Sequence, residues 1–406
     1  MSNNDSNISD VSNALFLCIE QAETSTNISA NPWQLINCFR GPQMQDLGIA
    51  VAVTVINGII LFTGLLGNIF VCVVIIRHKS LHSTTEYYLL NLAVSDLTLL
   101  IFGLPYDVTL FWHQYPWTLG DFFCKTRALI SETASYVSVL TVVAFSTERY
   151  LAICHPLYTM VITNLQRSLR IISGLWTISL LCAIPFAYYS GVDFISYPFD
   201  SDNIIPQSAF CAMTSQPEYI PLAEISTIIF FFLPLAIIIF QYIKMGMVIR
   251  ETTKKGYFYE EEGTGAVTIR NNRQIRHRHN VIKMLSYVVF GFFISWCPFH
   301  TQRILSIYLN NHSHFDELNY WLYITAGVFY YSSSTLNPIL YNVMSEKMRN
   351  AFKEVICGWK IDPRSSRASF VKSDTSYLNT NRETYNSVSQ IKEEDKLQLV
   401  KKNRIK

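Results

Sequence analysis

Seven long segments of mostly apolar residues set the strongest limit on how this chain can fold. They lie at about residues 48–76, 84–111, 124–150, 168–190, 222–245, 281–308 and 318–344. Each is at least as long as the roughly 20 residues that a helix needs to cross a bilayer. Because lipid offers no hydrogen-bond partners, a spanning helix must satisfy its own backbone groups. The sequence therefore predicts an all-α membrane protein, a seven-transmembrane helix bundle.

Composition agrees with a membrane location. Half of the 406 residues are apolar and only 15% are charged, which is too apolar for a soluble protein of this size. The formal net charge of +2 gives no reason to expect nucleic acid as a partner. The first residues lack the basic and apolar regions of a cleavable signal peptide, so we expect the first span to direct membrane insertion.

Basic residues predict the orientation of the bundle, because Lys and Arg are enriched in cytoplasmic loops. The connection after the fifth span holds several of them, whereas residues 191–219 hold four acids and no Lys or Arg. We predict a plasma-membrane protein with an extracellular N-terminus and a cytoplasmic C-terminus. Four N-x-S sequons on the extracellular side are expected glycosylation sites: Asn4, Asn7, Asn27 and Asn311.

The spans divide the chain into four regions. Residues 1–47 are expected to form an extracellular glycosylated tail, mobile over its polar part, and residues 48–345 the transmembrane domain. Residues 346–357 alternate apolar with basic side chains at helical spacing, which predicts a short amphipathic eighth helix on the membrane lipid. Cys357 is a candidate for palmitoylation there. Residues 358–406 are expected to be a disordered cytoplasmic tail.

Cysteines on the extracellular side lie in an oxidising compartment. Cys124 begins the third span and Cys211 lies between the fourth and fifth spans, so we expect these two to form a disulfide. Cys18 and Cys38, in the N-terminal tail, could pair with each other or stay free.

Charges within the spans are candidate functional groups, because they are costly in lipid unless they are paired or hydrated. Asp96 in the second span must be protonated, paired with polar groups such as Ser138, or bound to a cation. Glu148 and Arg149 end the long uncharged part of the third span. They are either a boundary arginine with its counter-ion or a switch in which Glu148 holds Arg149 in one state.

These features together resemble the rhodopsin-like family of G-protein-coupled receptors over about residues 48–357. The resemblance rests on Gly67-Asn68, Leu92-Ala93-x-x-Asp96, Cys124, Glu148-Arg149-Tyr150, Trp176, Pro234 with Tyr242, Trp296-x-Pro298 and Asn337-Pro338-x-x-Tyr341. It implies a heterotrimeric G protein as partner and an allosteric sodium ion at Asp96 and Ser138 as the only cofactor. It also implies a G-protein switch, made of Glu148, Arg149, Tyr150, Tyr242, Trp296, Asn337, Pro338 and Tyr341. The segment 270–283 has no acid, so Glu148 would be the only counter-ion of Arg149.

Further stretches look like the neuromedin U receptors and their insect relatives for pyrokinin and CAPA peptides. They are Tyr106-Asp107-Val108, Ile130-Ser131-Glu132-Thr133, Pro298-Phe299-His300-x-x-Arg303 and Gly327-Val328-Phe329-Tyr330. This resemblance implies an amidated peptide ligand ending in Pro-Arg-X. It also implies signalling through Gq, phospholipase C and calcium, and arrestin binding to a phosphorylated C-terminal tail.

Two acids in the outer half of the bundle, Asp107 and Glu132, are the predicted ligand site. Arg303 could pair with either acid but cannot neutralise both, which leaves a negative site for a ligand guanidinium. The resemblance places the ligand's arginine there, with Phe299, His300 and Tyr330 lining the wall.

Other ligands and another class of protein stay open as alternatives. A different peptide or a small molecule could be the ligand, although a lipid would not need the acid pair. A transporter is the alternative class, but the sequence has no internal repeat of the kind that transporters show. No enzyme is expected, because neither a phosphate loop nor a metal-ligand cluster is found.

Overall fold

The computed structural model describes residues 17–21, 32–156, 165–198, 201–213, 220–260, 265–309, 315–344 and 346–359. Within these ranges the side chains of residues 252–285, 288, 316 and 340–346 are left out of the description. The chain divides into one unit of residues 1–348 and a second of residues 349–406.

Long helices follow one another along the first unit and match the predicted spans in order. Their bounds are Leu47–Arg77, Thr84–Phe102 with Leu104–Trp112, Gly120–Cys154, Leu165–Tyr189, Leu222–Thr227 with Ile228–Phe232 and Leu233–Glu260, Gly265–Tyr308, and Phe315–Met344. We call them the first to the seventh span. Among the described residues, the first five of these helices are long and apolar enough to cross a membrane.

The fifth and sixth spans extend well beyond their apolar segments. The fifth continues to Glu260 and the sixth begins at Gly265. Hydropathy marks only the part of a helix that lies in lipid, whereas polar helix formers such as Arg, Lys and Gln continue the helix outside it. The predicted bounds of 222–245 and 281–308 therefore mark the apolar part of each helix and not its full length.

Breaks in two spans follow from glycine and proline. Gly103 separates the two helices of the second span, and a Cβ there would lie 2.8 Å from the Tyr331 hydroxyl oxygen. Glycine thus gives Tyr331 the space to approach the second span. In the fifth span the turn Ile228–Phe232 is a π-helix in which the Leu233 N–H donates to the Ile228 carbonyl. It precedes Pro234, whose missing N–H cannot continue the regular α-helical bonding.

A short β-hairpin covers one end of the bundle. Its strands are Ser190–Asp193 and Phe210–Met213, paired antiparallel with Val192 opposite Cys211. The structure joins Cys211 to Cys124 at the start of the third span. We call this end of the bundle the hairpin end, and the opposite end, where the third span finishes, the Arg149 end.

The N-terminal segment is folded where the structure describes it. The helix Trp33–Arg40 has Cys38 joined to Cys18 by a disulfide. It buries Leu35 and Ile36 against Tyr115 and Ile205, and Leu35, Ile36 and Tyr115 are each 0% exposed. The expectation of a mobile tail is therefore wrong from Pro32 onward, because a few apolar side chains in a polar sequence have a core of their own at the hairpin end. We call residues 32–46 the N-terminal cap.

Polar contacts also hold the N-terminal cap. The Tyr115 hydroxyl shares its proton between Asn37 Oδ1 and the Gly41 carbonyl, each at 2.7 Å. Burial raises the pKa of the Tyr115 phenol, so the hydroxyl keeps the proton that it donates. Arg40 Nη2 lies 2.9 Å from Asp193 Oδ2, which connects the cap to the hairpin.

Removing the Tyr115 ring should release the N-terminal cap from the loops that contain Tyr115 and Ile205. Truncating a buried aromatic residue to alanine costs about 3–5 kcal/mol, and the cap has a small core. We expect Tyr115→Ala to speed hydrogen exchange of the backbone amides of Trp33–Arg40 in the purified protein. Tyr188→Ala is the control, because Tyr188 is 74% exposed. Equal exchange in the two variants would show that the cap does not depend on Tyr115.

Some predicted features lie outside the described residues. These are the sequons at Asn4, Asn7, Asn27 and Asn311 and the tail from residue 360, so glycosylation and arrestin binding stay predictions. A helix covers Glu346–Val355, and its amphipathic contact with membrane lipid stays a prediction. Cys357, which follows it, is an exposed free thiol, and its palmitoylation stays a prediction.

Candidate functional site

A cleft of about 90 Å³ lies between the first, second, sixth and seventh spans in the half of the bundle nearest the hairpin. It is lined by Val53, Asn57, Asp107, Phe111, Phe299, Gln302, Tyr323, Ile324, Ala326, Gly327, Val328, Tyr330 and Tyr331. Three predicted ligand residues, Asp107, Phe299 and Tyr330, are therefore brought together. Glu132, His300 and Arg303 are not in this lining.

Asp107 is the one acid among the described residues that line the cleft. Its Oδ2 accepts a hydrogen bond of 2.7 Å from the Tyr331 hydroxyl. Arg127 of the third span is close enough for its charge to act on Asp107, and its guanidinium lies 3.8 Å from the centre of the Tyr106 ring. The Tyr106 hydroxyl in turn donates to the Cys211 carbonyl at 2.9 Å, so this group lies beneath the hairpin.

Glu132 already has a partner in the structure. Arg303 Nη1 lies 3.0 Å from Glu132 Oε1, and both side chains are mostly buried. The Arg303 guanidinium also lies 4.3 Å from the centre of the Phe186 ring and 5.8 Å from that of Phe299. This is the internal pairing that the sequence left open. A buried pair of this kind is costly to break, because either partner alone is a buried uncompensated charge.

The balance of charges around the two acids differs from the sequence prediction, because that prediction does not include Arg127. Two acids, Asp107 and Glu132, stand near two arginines, Arg127 and Arg303. The sequence held a signal for it, since Arg127 is a basic residue one turn after Cys124 within a predicted span. The acids therefore do not form one shared negative site. Asp107 faces the cleft, and Glu132 faces Arg303.

Aromatic rings connect the cleft to the middle of the bundle. Tyr330 stacks on Phe299 with ring centres 4.7 Å apart and meets the edge of Trp296 at 5.0 Å. Trp296, which is 2% exposed, stacks on Phe292 at 5.1 Å. The Tyr330 hydroxyl is hydrogen-bonded to Ser135 of the third span. A group that moves Tyr330 would therefore also disturb Trp296.

His300, a predicted ligand residue, is not in the lining of this cleft. It is 4% exposed, its Nδ1 lies 3.1 Å from the Thr227 hydroxyl, and its ring lies 4.9 Å from that of Phe231. Successive residues of a helix point about 100° apart. Because Phe299 faces the cleft, His300 turns toward the fifth span, and its place in the ligand wall stays a prediction.

Asp96 belongs to a buried polar cluster between the second, third and seventh spans. Its carboxylate accepts from Asn337 Nδ2 at 2.9 Å and from the Ser334 hydroxyl at 3.3 Å. The Ser138 hydroxyl lies within reach of Asp96 and donates to Ser95 at 2.8 Å. Carboxylate and hydroxyl oxygens are the donors that hard cations take, so these residues fit a small cation chemically.

At the Arg149 end, the predicted pair of Glu148 with Arg149 is not the contact formed. Glu148 Oε1 lies 3.3 Å from Arg167 Nη2 of the fourth span, and Arg149 donates to the Thr85 hydroxyl of the second span. Adjacent residues on a helix do not face each other, which explains the separate partners. The expectation that Glu148 is the only acid near Arg149 is also wrong, because the charge of Glu86 acts on Arg149 as well.

Glu86 and the switch residues Tyr150 and Tyr242 make further contacts at the Arg149 end. Glu86 Oε1 accepts from Lys347 Nζ at 2.8 Å, which connects the second span to the residues after the seventh. Tyr150 and Tyr242 pack on the cluster that contains Ile153 and Met245. Pro338 lies within the seventh span, and Tyr341 is on the same helix, although its side chain is outside the described set.

Comparison with known proteins agrees with the family that the sequence motifs resemble. The family model of the 7 transmembrane receptor (rhodopsin family) matches residues 67–341. The chain is 33% identical to a pyrokinin-1 receptor of Drosophila melanogaster over 80% of this chain and 84% of the relative. It is 36% identical to a neuromedin U receptor homologue of Caenorhabditis elegans, over 78% of this chain and 82% of the relative. It is 33% identical to neuromedin-U receptor 2 of Rattus norvegicus (79% of each chain).

Proposed function

Because the chain belongs to the rhodopsin family of seven-transmembrane receptors, we propose that it binds an amidated peptide ending in Pro-Arg-X and signals through Gq. It is a neuropeptide receptor of the pyrokinin and neuromedin U type, a multi-pass plasma-membrane protein and not an enzyme. Its partners are a peptide ligand and a G protein. The N-terminus would be extracellular and the C-terminus cytoplasmic, where the tail would bind arrestin and the last helix would lie on lipid.

The observation that supports a peptide ligand with an arginine is the chemistry of the cleft. Its lining has one acid, Asp107, several aromatic rings and no basic side chain among the described residues. Asp107 lines the cleft as an acceptor, while Arg127, whose charge acts on it, lies outside the lining. A guanidinium in the cleft can pair with the carboxylate through two parallel hydrogen bonds. Aromatic faces add attraction for the same cation. These features support an arginine of the ligand at Asp107.

Glu132 would act on the ligand through Arg303. While Glu132 neutralises Arg303, the arginine of the ligand meets no excess positive charge near Phe299. This proposal keeps both predicted acids in ligand recognition but gives them different tasks. The direct test is whether an amidated Pro-Arg-X peptide, and not its Arg→Ala analogue, raises calcium in cells that express the chain.

Activation would shift the population between two arrangements of the bundle. A ligand does so only by binding one arrangement more tightly than the other. Contact with Tyr330 and Phe299 would alter the packing of Trp296 and so the sixth span. At the other end, Arg149 would leave Thr85 and turn toward the G protein as the sixth span moves out. Asn337, Pro338 and Tyr341 would let the seventh span adjust.

Sodium is proposed as an allosteric ion at Asp96, with Ser138 nearby. An ion that favours the resting arrangement lowers the affinity for agonists. We expect sodium to weaken agonist binding to the wild type and to have no such effect on Asp96→Asn, measured by competition binding with potassium as the control ion. If sodium leaves agonist affinity in the wild type unchanged, Asp96 is a hydrogen-bonded structural acid only.

A further inference from the structure

Asn57 of the first span is a polar side chain buried in the wall of the cleft. It is 7% exposed and stands in the same lining as Asp107. Its Nδ2 donates to the Val53 carbonyl at 3.0 Å, a bond that an amide nitrogen can form and an amide oxygen cannot. This bond fixes the orientation of the side chain. The other atom of the amide, Oδ1, is therefore an acceptor.

Asn57 Oδ1 has no hydrogen-bond partner within the described part of the chain. A buried acceptor without a donor is destabilising, and such atoms are rare in folded proteins. The first span would be more stable with an apolar residue here, as at its neighbours Val53 and Ile60. An acceptor held in a ligand cleft without a donor indicates that the ligand supplies one.

The cleft combines two acceptors and selects the charge of what they bind. Asp107 contributes a carboxylate and Asn57 contributes a carbonyl oxygen. The described residues that line the cleft include no Lys, Arg or His. The ring of Phe111 lies 6.3 Å from that of Tyr323, so the wall is aromatic as well. The cavity of about 90 Å³ suits the head group of one side chain, and the rest of a peptide would lie outside it. A cation with several N–H donors fits this description.

We propose that Asn57 and Asp107 together bind the guanidinium of the ligand's arginine, and that Asn57 makes the receptor prefer arginine to lysine. A guanidinium has five N–H donors in a planar fork. Two of them can meet the Asp107 carboxylate while another, on a different edge, reaches Asn57 Oδ1. A lysine ammonium is a single point of charge and is less suited to serve both acceptors. The inference rests on the proposed function, since it needs a ligand that carries arginine.

The test uses variants of Asn57 and two peptides that differ only in Arg or Lys. Asn57→Leu removes the acceptor and keeps a branched side chain with the same number of heavy atoms, and Asn57→Asp keeps an acceptor. Thr63→Val is the matched control, because Thr63 is an exposed polar residue of the same span that bonds to its own helix. Competition binding on cells with equal surface expression measures affinity for each peptide.

We expect Asn57→Leu to lose about tenfold in affinity for the arginine peptide, the size of one hydrogen bond to a charged group, and under about twofold for the lysine peptide. The preference for arginine therefore falls, whereas Asn57→Asp and Thr63→Val keep it. An unchanged preference in Asn57→Leu would overturn the role of Asn57 and leave the proposed function intact. An equal loss for both peptides would also overturn it, because the role would then be structural. A wild type that does not bind the arginine peptide would overturn both.

Discussion

Replacing Arg149 with alanine is expected to abolish G-protein signalling while surface expression and peptide binding persist. Arg149 donates to Thr85 and is near Glu86 and Glu148, so it is held at the Arg149 end by polar groups of two spans. A half-buried guanidinium within a span is a candidate functional group, because charges in membrane segments are costly and commonly have a task. We expect that task to be contact with the G protein after the sixth span moves.

The measurement is calcium release together with binding of labelled peptide to the same cells. Arg170→Ala is the control, because Arg170 is an exposed basic residue of the fourth span that bonds only to its own helix among its described contacts. Full signalling by Arg149→Ala at equal surface level would contradict the switch. Arg149 would then be a boundary arginine that reaches water.

Replacing Glu132 with glutamine is expected to weaken binding of an arginine-containing peptide by more than about tenfold, the range of a charge-assisted contact. The substitution leaves Arg303 without its partner at 3.0 Å, close to the Phe299 side of the cleft. The free positive charge then opposes the cation of the ligand. A peptide in which citrulline replaces arginine is neutral at that position and should be insensitive to the change.

A double variant decides how Glu132 acts. Glu132→Gln with Arg303→Gln removes both charges of the buried pair and so leaves no uncompensated group. If Glu132 acts by neutralising Arg303, the double variant recovers most of the affinity for the arginine peptide. If the affinity stays low, Glu132 contacts the ligand directly. Equal binding of the arginine peptide to the wild type and Glu132→Gln would contradict both roles.

Sequence patterns predicted the features that depend on one segment at a time. The apolar segments located the spans, because a lipid environment leaves a helix as the only choice for each of them. The positions of Cys124 and Cys211 relative to the spans predicted the bond that the structure forms. Asp107 was placed correctly in the half of the bundle nearest the hairpin, since depth along a helix follows from residue count.

Features that depend on packing between distant segments were not predicted. The N-terminal cap is stable because Leu35 and Ile36 meet Tyr115, which lies far along the chain. The partner of Glu148 is Arg167 of another span, and no spacing rule connects the two. The motif that contains His300 does not show that the rotation of the sixth span turns this side chain toward Thr227. Nothing in the sequence marks Asn57 as a site residue, because its role depends on an unpaired atom that only the structure reveals.

The most direct measurement is the calcium response of cells that express this chain to a matched set of peptides. The set contains an amidated peptide ending in Pro-Arg-X, its citrulline analogue and its free acid, each with and without a Gq inhibitor. The account predicts a response to the amidated arginine peptide that the inhibitor abolishes, and a citrulline analogue weaker by about tenfold or more. A receptor that responds equally to the arginine and citrulline peptides, or to neither, would contradict the assignment of a ligand arginine to Asp107.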